Sequence, residues 1–323
     1  MRHVEGIHHV TAITGDAKAN VAFYTGVLGL RMVAKTVNQD DPSVYHLFYG
    51  DEEAHPGADL TFFEYPGAIP GHAGAGMVYR VVWRVASPAA IEFWLDRLTA
   101  AHVHAERDGE SLVFHDREGL QHQLVVDDSQ DPPLIARHPE IAPELALHGF
   151  EGVRAYSKDP TASEALLEGF LGASRRAEGG HELRGELRGG WIAFDPAPDA
   201  PGRQSGGTVH HVAFGIHDAD DGEWATALAA ARIPNSGIVD RNYFRSLYFR
   251  EPSGVLYELA TQGPGFTVDG PVETLGSRII LPPWLEQHRS LIEPHLTPLP
   301  DPRADWPASY ASTSSTTDGE ASS

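Results

Sequence analysis

The chain has 323 residues, a formal net charge of −21 and no cysteine. The acidic excess argues against a nucleic-acid partner, which needs clustered Lys and Arg. The lack of thiols excludes disulfides, thiolate zinc sites and cysteine nucleophiles, so any metal must be held by nitrogen and oxygen. No apolar run approaches the roughly 20 residues of a membrane helix, and the first residues lack a signal peptide's basic-then-apolar order; no membrane partner is expected and the expected location is the cytoplasm.

The first stretch with strand character contains Ile7-His8-His9-Val10-Thr11. A helix is predicted from Gly15, with Asp16 as N-cap, Val21, Tyr24, Val27 and Leu28 on its buried face and Gly29 as its stop. Strands follow at Arg31 to Val37, Val44 to Tyr49 and Leu60 to Tyr65, separated by turns at 38–42 and 55–57. The order restarts at Gly76 with a strand from Met77 to Val85. Ser87-Pro88 then caps a helix carrying Ile91, Trp94, Leu95 and Leu98, and strands follow around Val103 to Glu106, Ser111 to His115 and Gln121 to Val126. A third round begins near Phe150, with Asp159-Pro160 repeating the cap. The fourth begins at Thr208, opens with Val209-His210-His211-Val212-Ala213, and returns through Val239, Ser246 to Arg250 and Val255 to Ala260.

The chain therefore reads as four βαβββ repeats, each too small to bury both faces of its sheet alone. Two further spacings support this. Phe114-His115-Asp116-Arg117-Glu118-Gly119 and Phe249-Arg250-Glu251-Pro252-Ser253-Gly254 share an aromatic, an acid two later and a glycine three after that, and four residues past each glycine lie Gln123 and Glu258. Because neighbouring side chains of a strand face opposite sides, one histidine of each His-His pair can enter a shared interior. Residues 1–130 and 145–262 are expected to hold the two pairs of repeats, 263–300 a C-terminal extension, and 301–323 a disordered tail dominated by Ser, Thr and Asp.

On these residues, and on Asp240-Arg241-Asn242-Tyr243-Phe244, Tyr248-Phe249-Arg250 and Leu281-Pro282-Pro283-Trp284, the chain resembles the vicinal oxygen chelate superfamily, and within it the ring-cleaving hydroquinone dioxygenases. The resemblance implies an α+β fold, two curved eight-stranded cups, and a metal held by His9, His211 and Glu258. A two-histidine, one-carboxylate set leaves three positions open and is associated with non-haem Fe(II) oxygenases. It thus implies Fe(II), with Mn(II) as a substitute, and a small aromatic substrate and O2 as partners. His8, Thr11, His210, Arg241 and Tyr248 match positions that line the pocket in similar enzymes. Because His9 lies in repeat one while His211 and Glu258 lie in repeat four, repeats one and four are expected to share the metal cup. A homo-oligomer is compatible with this reading.

Two alternatives stay open. Glu64 ends the last strand of repeat one, where glyoxalase-type isomerases place a fourth protein ligand; the chain would then be an isomerase or lyase. A metal-free binding module is the other. His46, His55, His72, His102, His104, His115, His122, His181 and His217 are read as structural or solvated.

Overall fold

A computed structural model describes residues 4–307. Sixteen strands run in chain order as β1 (Val4–Thr14), β2 (Arg31–Val37), β3 (Tyr45–Gly50), β4 (Asp59–Glu64), β5 (Met77–Val85), β6 (Ala105–Asp108), β7 (Ser111–His115), β8 (Gln121–Val126), β9 (Leu147–Ser157), β10 (Ser174–Arg175), β11 (His181–Arg184), β12 (Gly189–Pro196), β13 (Val209–Ile216), β14 (Asn235–Asp240), β15 (Arg245–Arg250) and β16 (Leu256–Thr261). They form two eight-stranded sheets, β14-β15-β16-β13-β1-β4-β3-β2 and β10-β11-β12-β9-β5-β8-β7-β6. Within every repeat the first strand lies parallel to the fourth, and the other two follow antiparallel. Repeats one and four share the first sheet through β1 and β13, and repeats two and three share the second through β5 and β9.

The crossover segments bury one face of each sheet. Trp94 and Leu98 of the helix Pro88–Ala100, and Trp224 and Leu228 of the helix Asp221–Ala230, are almost wholly buried. Asp16 caps the first helix by accepting from Ala19 N at 3.0 Å. After Ala17–Val21 this helix widens into a π-helical turn, Ala22–Val27, closed by Leu28 N donating to Phe23 O. Repeat three does the same over Ala165–Phe170. A simple 3.6-residue period does not anticipate this widening.

The extension packs along the edge strand β2. Ile280 N donates to Lys35 O, Lys35 Nζ to Leu299 O, and Arg31 Nη2 to Val272 O. Of the tail expected to be disordered from residue 301, residues 301–307 are described, with Arg303 paired to Glu52 and Trp306 packed against His138, and residues 308–323 lie outside the described residues. No helix among the described residues is long and apolar enough to cross a membrane.

Candidate metal centre

At the centre of the first sheet, β1 places His9 opposite Ala213 and Thr11 opposite His211 of β13, while β16 places Glu258 opposite the same Ala213. Three adjacent backbones thus deliver three side chains to one point. His9 Nε2 lies 3.3 Å from His211 Nε2, and Glu258 Oε2 lies 3.2 and 2.9 Å from these two nitrogens. Ligands about 2.1 Å from an ion at adjacent corners of an octahedron stand about 3.0 Å apart, so the set fits one face of a single ion. Among the described residues it is the cluster of His and carboxylate donors close enough to share one.

Glu258 is wholly buried. Its Oε1 accepts from Ser246 Oγ at 2.5 Å, while Oε2 makes no hydrogen bond. Burial alone would raise this carboxyl, but the imidazoles of His9 and His211 outweigh it and hold it well below the usual carboxylate range. An ionised, buried oxygen without a donor is costly unless a cation meets it.

His8 and His210 take a position that alternation along a strand does not foresee. On β1 the pairing steps from Ile7–Phe214 to His9–Ala213, and on β13 from Thr11–His211 to Ala12–Val209. His8 and His210 are therefore the extra residues of two β-bulges, which re-aim side chains. Each bulge brings Nδ1 of the first histidine against Nδ1 of the second, at 2.9 Å for His8–His9 and 2.8 Å for His210–His211. A histidine that offers Nε2 to a metal keeps its proton on Nδ1 and donates it to a neighbour, which fixes its ring. Burial, then the adjacent imidazole, pushes both His8 and His210 down to about 3, so both stay neutral acceptors.

A cavity of about 370 Å³ opens beside the three donors, within the range of small-molecule sites. His46, Phe48 and Phe63 form its repeat-one wall, and Arg241, Phe244 and Tyr248 its repeat-four wall. Arg241 bonds both carboxylate oxygens of Asp40 at 3.2 and 2.9 Å and reaches Tyr248 Oη at 3.3 Å. Burial and Glu258 push the Tyr248 phenol up, so it stays protonated. His210 lines the same cavity. His8 lines a different one on the far side of His9, and Thr11 is wholly buried with its hydroxyl 2.8 Å from Thr61 Oγ1.

Glu64 does not join the three donors. Its Oε1 accepts from Ala17 N and Thr297 Oγ1, tying the first helix to the extension. The register explains why: the repeat-one counterpart of Glu258 is Thr61, opposite Thr11, three residues before Glu64. Asp40, His46 and Ser246 escaped the sequence reading. Asp40 sits in a turn and His46 and Ser246 on third strands, so nothing in their local pattern sets them apart.

The family model described as Glyoxalase/Bleomycin resistance protein/Dioxygenase superfamily matches residues 6–129 and 149–259. MhqA of Bacillus subtilis (strain 168), provisionally named a ring-cleaving dioxygenase, is 39% identical over 313 residues, covering 92% of this chain and 99% of its own. Chlorohydroquinone/hydroquinone 1,2-dioxygenase of Sphingobium indicum is 30% identical over 304 residues, covering 88% and 93%. A crystal structure from Bacillus subtilis subsp. subtilis str. 168, provisionally titled a dioxygenase, superposes with a TM-score of 0.86 at 36% identity over 93% of this chain and 98% of its own. The matched ranges take in both pairs of repeats and all three donors, and the chain belongs to the Glyoxalase/Bleomycin resistance protein/Dioxygenase superfamily.

Proposed function

We propose that this chain is a non-haem Fe(II)-dependent dioxygenase that cleaves the ring of a hydroquinone-like aromatic with O2. Catechols are the neighbouring substrate class and Mn(II) a substitute ion. The observation that carries this reading is the disposition of the donors: His9, His211 and Glu258 fit one face of an ion, and the opposite side meets an aromatic-walled cavity. The names of relatives that align over most of the chain point the same way.

Iron held by His9, His211 and Glu258 would supply Lewis-acid activation of a phenolic oxygen and the redox chemistry needed toward O2. The protein's own part is to bind and orient. Phe48, Phe63 and Phe244 offer faces for an aromatic ring and exclude water. Arg241, held by Asp40, stabilises negative charge that develops on an oxygen in the cavity. Tyr248 keeps its proton and donates a hydrogen bond. His8 and His210 fix the ligand rings from behind.

The test is an oxygen-electrode trace of the iron-loaded protein with hydroquinones, catechols and a methylglyoxal–thiol adduct. Stoichiometric O2 uptake with a hydroquinone is expected. Conversion of the thiol adduct without O2 uptake would replace this reading with an isomerase.

A further inference from the structure

The strand registers define an approximate two-fold relation between repeats one and four. His9 faces Ala213 as His211 faces Thr11. Thr61 lies opposite Thr11 as Glu258 lies opposite Ala213. On the third strands, Phe48 lies opposite Thr61 and Tyr248 opposite Glu258. Two residues before each of these stand His46 and Ser246, so His46 occupies in repeat one the place that Ser246 occupies in repeat four.

The paired positions do related work. Ser246 holds Glu258 through a 2.5 Å hydrogen bond, and His46 Nε2 lies 3.0 Å from Thr61 Oγ1. Thr61 stands where a fourth protein ligand would come from, but its side chain is short and its hydroxyl is engaged by Thr11 and His46. His46 therefore lies just beyond Thr61 on the side of the ion that the protein leaves open. Its ring lines the cavity, packed against Phe48 and Phe63 with centroids 3.9 and 4.4 Å away. With Nε2 committed to Thr61, Nδ1 is left without a hydrogen bond among the described residues. Three neighbouring polar side chains on this wall are engaged, Gln39 Nε2 donating to Arg241 O, Asn38 Oδ1 accepting from Asp40 N, and Asp40 holding Arg241, while Thr36 Oγ1 is buried without a hydrogen bond.

A hydroquinone with one oxygen at the ion carries its second hydroxyl to the far side of the ring, and burying that hydroxyl unpaired would cost binding. We infer that His46 is the substrate-contacting residue for this second hydroxyl, which donates its proton to Nδ1 in a hydrogen bond while Nε2–H stays on Thr61. Burial, reinforced by His9, His211 and Arg241, pushes the imidazole well below its ordinary value, which keeps Nδ1 an acceptor. This inference rests on the hydroquinone reading above and adds the determinant that selects a para-dihydroxy ring over a monophenol.

The test compares hydroquinone with 4-methoxyphenol, which keeps the first hydroxyl but has no second proton to donate. Dissociation constants are measured anaerobically by calorimetry on the metal-loaded protein. The native protein is expected to prefer hydroquinone by roughly tenfold, the worth of one buried hydrogen bond. His46→Phe should collapse that preference to within twofold while leaving 4-methoxyphenol affinity unchanged. Thr61→Val, which removes the anchor but keeps the ring, should narrow the preference and serves if His46→Phe does not fold or hold metal. Equal losses for both compounds, or an unchanged preference in both variants, would overturn the role of His46 while leaving the dioxygenase reading intact. A native protein that binds neither compound would overturn both.

Discussion

Ser246 Oγ donates to Glu258 Oε1 at 2.5 Å from the neighbouring strand, turning the other carboxylate oxygen toward His9 and His211. The hydroxyl thereby fixes which oxygen is free for the ion. Outer-shell partners of this kind typically contribute 10- to 100-fold in metal affinity. Ser246→Ala is therefore expected to weaken Fe(II) or Mn(II) binding by about 10-fold or more in a chelator competition, with the fold intact. Affinity within twofold of the native protein would show that Glu258 needs no such help.

Arg241 spans the cavity mouth between Asp40 of repeat one and Tyr248 of repeat four. A charge-assisted hydrogen bond contributes roughly 1.5–3 kcal/mol, so Arg241→Ala should lower kcat/KM by about 10- to 100-fold. Tyr248→Phe should cost less, because its ring against His211 is retained. Asp40 is largely exposed, and Asp40→Asn should cost only a few-fold. Steady-state kinetics with a hydroquinone decide this, and rates unchanged within about twofold would remove Arg241 and Tyr248 from the site.

His8 and His210 each contact the neighbouring donor histidine alike but differ toward the cavity beside the three donors, since His210 lines it and His8 does not. His8→Leu should weaken metal binding and leave KM of the fully loaded enzyme unchanged. His210→Leu should change both. Metal titration beside KM measured at saturating metal separates the two, and a raised KM in His8→Leu would contradict the placement of His8.

What was legible in the sequence was periodic or repeated. The three donors could be read because each sits at a matching place in a repeat, and the demand that they converge implies that β1 and β13 are neighbours. The roles of His8 and His210 were not legible, because a bulge exists only relative to the partner strand. Nor were those of His46 and Ser246, whose partners lie 15 and 12 residues away on a neighbouring strand. Glu64 stayed an open alternative because a carboxylate three residues out of register resembles one in register until the pairing of Thr61 with Thr11 is seen.

The second sheet shows why one cup alone carries the donors. At the positions equivalent to His9, His211, Thr61 and Glu258 stand Arg80, Gly152, Gln123 and Ala193. Arg80 Nη1 donates to Gln123 Oε1 at 3.0 Å, and the Trp191 ring lies over Gly152, with Arg176 stacked 4.6 Å from its centroid. A Cβ at Gly152 would come within 2.2 Å of a carbon of that ring. Gly152→Ala should therefore destabilise the protein by about 1–3 kcal/mol, read as a lowered Tm at unchanged metal affinity. A native Tm would mean that Trp191 can leave the cup freely.

A buried chain of hydrogen bonds joins the first two repeats and sets a pH dependence. Trp83 Nε1 donates to His122 Nδ1 at 3.1 Å, His122 Nε2 is 3.1 Å from Tyr24 Oη, and Tyr24 Oη donates to Asp116 Oδ2 at 2.8 Å. Since His122 Nδ1 accepts from Trp83, its proton lies on Nε2, so each donor in the chain has its acceptor. Burial raises Asp116 to about 6 even though Tyr24 and the backbone of Leu120 and Glu118 donate to it. The folded protein therefore binds a proton at Asp116 more readily than the unfolded chain, whose aspartate titrates near 3.8. The stabilising contribution of this proton is fully present below pH 3.8 and is lost as pH rises through about 6, a change on the order of 3 kcal/mol. Asp116→Asn removes the titration, and because its Oδ1 is held by the backbone N–H groups of Glu118 and Leu120, the NH2 left in the place of Oδ2 cannot accept from Tyr24, so it should also lower Tm at neutral pH. The diagnostic quantity is the Tm difference between native and Asp116→Asn proteins, both stripped of metal. It should change between pH 4 and 6.5 and be flat above pH 7, whereas a difference constant from pH 4 to 8 would place Asp116 in an environment far wetter than this core.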